Sequence, residues 1–183
     1  MNYIFSAIFL YFFLGFLLYI FQRRIIFNKS GHPGTPMDYN LDNTDEIYIK
    51  TEDNLELISW YHKGNNSLPL LVYFHGNSFH IGDRAYRIQR YIEKNWSVLL
   101  VSWRGFGGNK GNPTEKNLYK DAEAVLLWVK NNTEFKFKEL VIYGESLGSG
   151  AAVEIGTKYN FLSIVLEAPF TSINDIAKKR YKI

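Results

Sequence analysis

The sequence predicts an α/β protein: a mostly parallel sheet with helices on both faces, preceded by one transmembrane helix. Three observations carry that expectation. From residue 45 onward, apolar strand-like runs alternate with amphipathic helical segments, the pattern of βαβ units. Several of those runs are apolar throughout instead of alternating, as strands buried on both faces are. The chain also opens with an uncharged apolar run from Tyr3 to Phe21, long enough to cross the hydrocarbon layer as a helix.

In chain order, the first element is that run. Tyr3 and Tyr19 stand near its ends, where interfacial rings are favoured. A cleaved signal peptide is the competing reading. It wants basic residues ahead of a shorter run and small residues at a cleavage site. Here no Lys or Arg precedes the run and "FQRRIIF" follows it, which favours an anchor. Arg23, Arg24 and Lys29 after the span put the remainder on the cytoplasmic side by the positive-inside rule. The expected product is a single-pass membrane protein with its folded part in the cytoplasm. Residues 22–44, with "NKSGHPGTPMDYN", read as a linker rich in Gly, Pro and polar residues.

"EIYIK" and "LELISWYH" flank "TEDN" and predict an antiparallel hairpin. "LPLLVYFHG" predicts a buried strand, and Ala85, Ile88 and Ile92 share one face of a helix over 83–95. "SVLLVSW" is the next buried strand, followed by the Gly-rich "RGFGGNKGNPTE". Thr114 caps a helix whose apolar face is Leu118, Ala122, Val125 and Val129, with Glu115 favourable in its first turn. "ELVIYG" and "LSIVLEA" are two more buried strands with a small-residue helix between them. Ser172 with Asp175 opens a last helical piece.

Composition narrows the function. The net charge of +3 is scattered, which argues against a nucleic-acid partner, and the cluster Lys178, Lys179, Arg180 and Lys182 reads as a solvated tail. The sequence has no cysteine, so disulfides, thiolate metal sites and Cys nucleophiles are excluded. No metal site and no cofactor are expected.

Chemistry centres on "LVIYGESLGSGAAVE", residues 140–154. A strand turning sharply into a helix at Gly-x-Ser-x-Gly lifts the serine clear of the sheet edge. Gly144 and Gly148 are needed because side chains there would collide with the neighbouring strand and helix. Ser146 is the candidate nucleophile. The Leu147 amide, at a helix N-terminus, is one candidate oxyanion donor. A strand-to-helix turn with a capping serine is the alternative. A phosphate-binding loop does not fit, since no Lys follows the glycines. "HGN" at 75–77 follows the first parallel strand, where such hydrolases place the second oxyanion amide. Asn77 is the candidate donor and Ser78 the neighbouring alternative. His75 is expected to shape that loop.

"YFHGNSFHIGDR", "VSWRGFGGNKGNPTE", "YGESLGSGAAVE" and "LEAPFTS" occur in this order, and "FQRRIIFN" follows the anchor. Together they resemble the Bem46-like branch of the α/β-hydrolase superfamily, from about Phe21 to the end. The resemblance implies an α/β-hydrolase fold over 45–183. It also implies ester, thioester or amide hydrolysis through an acyl-enzyme on Ser146, with an acyl ester or thioester as substrate. On this likeness Glu145, Arg104 and Glu167 match recurring positions and read as local structure.

In that family the triad runs Ser, acid, His. Here no histidine follows Ser146; His32, His62, His75 and His80 all precede it. Neither Glu167 nor Asp175 has the context of the triad acid. The expectation is therefore the N-terminal part of a hydrolase domain, incomplete at its C-terminus. "LSIVLEA" should then form an uncovered apolar edge. Without a base Ser146 is weakly nucleophilic, and the chain alone is expected to be inactive. A complementing C-terminal polypeptide carrying Asp and His is one partner this invites. A non-catalytic remnant of a disrupted gene and a binding or scaffold module are the alternatives.

Overall fold

The computed structural model describes residues 2–29, 31–172, 175 and 178. Helix α1 (Asn2–Ile26) runs past the expected end of the anchor at Phe21. Its Tyr3–Gln22 stretch has mean hydropathy 2.4 and none of it is buried against protein. By length and composition it can cross a membrane.

The segment 22–44 does not behave as a linker. Phe27 is in the main core, β1 (Asn28–Lys29) pairs with a later loop, and a 3-10 turn at Pro36–Tyr39 leads to the fully buried Leu41. Gly and Pro signalled irregular backbone correctly. They carried no information on whether that backbone is docked.

β2 (Thr44–Lys50) and β3 (Glu56–His62) form the expected antiparallel hairpin. β4 (Leu70–Phe74) follows, then the short β5 (Ser78–Phe79), α2 (Ala85–Ile92) and β6 (Ser97–Val101). Next come α3 (Glu115–Asn132), β7 (Leu140–Glu145), α4 (Leu147–Gly156) and β8 (Ser163–Glu167). The six-stranded sheet has the order β2-β3-β6-β4-β7-β8. Its four strands β6-β4-β7-β8 are parallel. β1 and β5 make a separate two-stranded parallel pair.

The apolar runs divide by pleat parity. Leu70, Val72 and Phe74 of β4, with Leu99 and Val101 of β6, face the core under α3 and α4. Leu71 and Tyr73, with Val98 and Leu100, face a second core with Ile81, Ala85 and Ile88 of the α2 side. A strand covered on both faces needs no polar alternation, which is why β4 and β6 read as continuous apolar runs. The α3 start follows the sequence expectation: Thr114 Oγ1 accepts from the Asn117 amide at 3.2 Å.

β8 differs from the other parallel strands. It lies at the sheet edge, and Ile164, Val165 and Leu166 are each 38% exposed, so it is the uncovered apolar edge expected of it and not a buried strand. The helical piece expected after Ser172 lies largely outside the described residues, although the Asp175 amide does donate to Ser172 Oγ at 3.0 Å. The basic positions Lys179, Arg180 and Lys182 also fall outside them.

Candidate active site

Ser146 sits between the last residue of β7 and the first of α4, with φ 47° and ψ −108°. A non-glycine residue in that region is strained by on the order of 1 kcal/mol and needs surroundings that over-determine it. They do. The Ser146 amide donates to the Glu167 carbonyl of β8 at 2.8 Å. Its carbonyl accepts from the Ser149 amide at 2.9 Å and from Ser149 Oγ at 2.5 Å. The residue is partly exposed, and its side chain caps no helix amide, so the capping alternative does not describe this turn.

The two glycines are needed on steric grounds. A Cβ at Gly144 would lie 2.7 Å from the Gly148 carbonyl oxygen and 2.9 Å from Ala152 Cβ. One at Gly148 would run into the Phe74 carbonyl oxygen and come within 3.0 Å of the His75 carbonyl oxygen. Strand β4, the elbow and α4 therefore approach as closely as backbones can.

The loop after β4 meets the elbow directly. A Cβ on Gly76 would stand 3.3 Å from Ser146 Cβ and 3.0 Å from Glu145 Oε1. Asn77 follows Gly76 on this loop, and Leu147 opens α4. The segments bearing both candidate oxyanion donors thus flank Ser146.

His75 shapes the loop. It is buried; Nδ1 donates to the Gly76 carbonyl at 2.7 Å, and Nε2 faces the Trp103 amide at 3.5 Å. The Trp103 indole in turn donates to the His75 carbonyl at 2.9 Å. Burial, and then the nearby Arg84 charge, pull the imidazole pKa down to about 3, so it stays neutral as this bonding requires.

Arg84 ends the block "YFHGNSFHIGDR", but nothing in the sequence assigned it a role. Its guanidinium takes the Glu145 carboxylate from two sides, Nε to Oε2 at 3.1 Å and Nη2 to Oε1 at 2.9 Å, while Nη1 donates to the Ser78 carbonyl at 2.7 Å. One side chain therefore ties the residue before the nucleophile to the candidate oxyanion loop. Tyr73 Oη adds a bond to Glu145 Oε2 at 3.0 Å. Burial pushes Glu145 upward, but the Arg84 and Tyr73 bonds more than offset it and hold the carboxyl below its ordinary value. Glu167 accepts from Tyr143 at 2.6 Å and from Arg87 at 2.5 Å. Arg104 is buried between Asp121 (2.8 Å) and Asp53 (2.7 Å). These contacts fit local structure for Glu145, Glu167 and Arg104.

Among the described residues no histidine ring bonds to Ser146. His62 faces Thr44 at 3.3 Å, His32 Nδ1 accepts from the Gly34 amide at 3.1 Å, and His80 lies 3.6 Å from Asp83. A cleft of about 350 Å³ opens beside Leu147, lined by Phe27, Leu118, Gly150, Ala151 and Phe170 among others. A larger groove of about 1030 Å³ runs along the outer side of α3; neither Ser146 nor Asn77 is in the lining of either one, and the smaller cleft reaches the elbow through Leu147.

Known proteins resemble this chain in sequence and fold. The family model for the accessory Sec system GspB-transporter matches residues 45–183. An uncharacterized protein of Mycobacterium tuberculosis is 31% identical over 91% of this chain and 61% of its own length. Protein bem46 of Schizosaccharomyces pombe is 30% identical over 89% of this chain and 58% of its own. The chain thus spans about three fifths of the curated relatives it matches. The Pyrococcus furiosus esterase Pf2001 shares the fold at a TM-score of 0.70 and 24% identity, over 85% of this chain and 63% of the esterase. The chain belongs to the family that this model describes and, among the α/β hydrolases whose fold it shares, to the Bem46-like branch.

Proposed function

We propose that this chain is the nucleophile-bearing part of a membrane-anchored serine hydrolase that cleaves acyl esters, thioesters or amides. Ser146 attacks the carbonyl carbon, and the oxyanion is held by the amides of Leu147 and Asn77. The observation that carries the reading is the strained Ser146 backbone at φ 47°, braced on all sides, with the Gly76–Asn77 loop against it. Such strain costs stability, and a plain turn would be relieved by glycine. The apolar cleft beside Leu147 is of a size and lining to take part of an acyl group. Membrane attachment is through α1, and the basic residues Arg23, Arg24 and Lys29 favour a cytoplasmic hydrolase domain.

The proton acceptor is the open part. None of the four histidines reaches Ser146. On this reading the base and its acid come from polypeptide outside these 183 residues, and these residues alone turn over little. That same observation favours a second reading, a hydrolase-fold module without catalysis.

Fluorophosphonate labelling separates the two. Wild type and Ser146→Ala are compared alone and after co-expression with a polypeptide supplying a strand–Asp and a strand–His. Labelling that needs both the added polypeptide and Ser146 is the expected result. Labelling that persists in Ser146→Ala, or its absence from a folded, complemented wild type, overturns the hydrolase reading.

A further inference from the structure

The residues at which the membrane helix ends are built into the loop that carries Asn77. α1 stops at Ile26, and the next residue, Phe27, is only 8% exposed. Its ring meets Phe106 edge-on at 6.3 Å between centroids. Phe106 meets the His75 ring in the same way at 5.4 Å. His75 in turn holds the Gly76 carbonyl, one residue before Asn77. Three packed rings thus connect the end of the anchor to the start of the oxyanion loop.

The backbone makes a second connection. Asn28 and Lys29 pair in parallel with Ser78 and Phe79, directly after Asn77. Phe79 needs such support. It is a non-glycine residue at φ 58°, a conformation that costs on the order of 1 kcal/mol and persists only when neighbours enforce it. Further along, Pro33 and His80, at the far end of the loop, both lie beside Gly107: a Cβ there would lie 3.5 Å from both His80 Cβ and Pro33 Cδ.

The loop is therefore gripped from two directions. Arg84 holds it from within, through the Ser78 carbonyl. The juxtamembrane segment holds it from without. A polypeptide serving only as a tether would need neither the buried ring nor the strand.

We propose that Phe27 and the β1 strand are positioning elements of the hydrolase site, ordering the Asn77 loop so that its amide stays in place beside Ser146. Phe27 touches no reacting atom; it acts through Phe106, His75 and the β1–β5 pairing. The inference rests on the hydrolase reading for what the loop does, and on the contacts above for the coupling. It makes the end of the membrane helix part of the catalytic unit.

The test is amide hydrogen exchange on the full chain in detergent micelles, for wild type, Phe27→Ala, Phe27→Leu and Val129→Ala. Val129 is a fully buried residue of the same core, on α3, and is absent from the contact chain to the loop. Its truncation controls for general loss of core packing. In Phe27→Ala the 76–80 amides should exchange roughly tenfold faster, as local opening is eased. They should stay near the wild-type rate in Val129→Ala, and Phe27→Leu should restore most of the protection. Unchanged exchange at 76–80 in Phe27→Ala, or an equal rise in Val129→Ala, overturns the proposal. No chemistry at Ser146 enters this measurement. A complemented wild type that never labels would sink the hydrolase reading, and the exchange data would still decide the coupling.

Discussion

Removing Arg84 should expose how the elbow and the oxyanion loop are held together. Arg84 and Glu145 have side chains only 9% and 15% exposed, so Arg84→Met leaves a nearly buried carboxylate with Tyr73 as its remaining donor. The cost has a ceiling, because Glu145 can take up a proton instead. From its ordinary pKa of 4.5, neutralisation at pH 7 costs about 1.4 kcal/mol per unit, or about 3.4 kcal/mol. The Ser78 carbonyl also loses its charged donor, worth about 1 kcal/mol more. Methionine recovers part of this as apolar burial, so the expected net loss at pH 7 is about 3 kcal/mol.

The pH dependence is the sharper signature. In the wild type the Glu145 pKa is depressed, so its contribution is complete above 4.5 and is lost as the pH falls through its folded value. In Arg84→Met burial, the largest influence on Glu145, is opposed only by the weaker Tyr73 bond and Arg87 charge and raises that pKa, so the variant regains ground on the wild type as the pH drops. At pH 5 neutralisation costs only about 0.7 kcal/mol, and the deficit should shrink by up to about 2.7 kcal/mol. Urea unfolding followed by the fluorescence of the four tryptophans reads this directly. At typical slopes the deficit at pH 7 corresponds to a midpoint lower by about 1–2 M. Glu145→Gln should cancel most of the pH effect when combined with Arg84→Met. Equal destabilisation at both pH values, with the two substitutions simply additive, would refute the coupling.

Three further outcomes follow from the same geometry. Ser146→Gly should be about 1 kcal/mol more stable than Ser146→Ala, because glycine accepts φ 47° without strain; the reverse order in urea midpoints would show that the backbone there is relaxed. Gly148→Ala should cost about 3 kcal/mol or more, since the new methyl meets the Phe74 carbonyl, and a circular-dichroism melt matching the wild type would contradict that packing. His75 is neutral when folded down to about pH 3, whereas the unfolded imidazole takes up a proton below about 6.5. Across that window it removes about 1.4 kcal/mol of stability per pH unit of acidification. His75→Gln should flatten the profile between pH 6 and pH 5, and an unchanged slope there would mean that the ring is not buried and neutral.

The sequence by itself determined the parts of this protein that follow from local sterics and burial. Strands covered on both faces must be apolar throughout, so β4 and β6 are legible as runs, whereas β7, expected to be buried likewise, is fully buried only at alternate residues. A helix packed on one side must repeat its apolar positions, as α3 does at Leu118, Ala122, Val125 and Val129. A strand-to-helix turn this tight admits only glycine at 144 and 148, so the elbow is legible as a pentapeptide. What only the tertiary structure decided are the relations between distant residues. Arg84 and Glu145 lie 61 positions apart, and no period or motif pairs them. A two-residue strand such as β1 is too short to carry a pattern, and its pairing with β5 depends on where the sheet puts that loop. Phe27 looks like one more apolar residue after the anchor until Phe106 and His75 are brought beneath it. Local conformation is set by each residue and its nearest neighbours, whereas docking is set by surfaces that exist only once the sheet has formed.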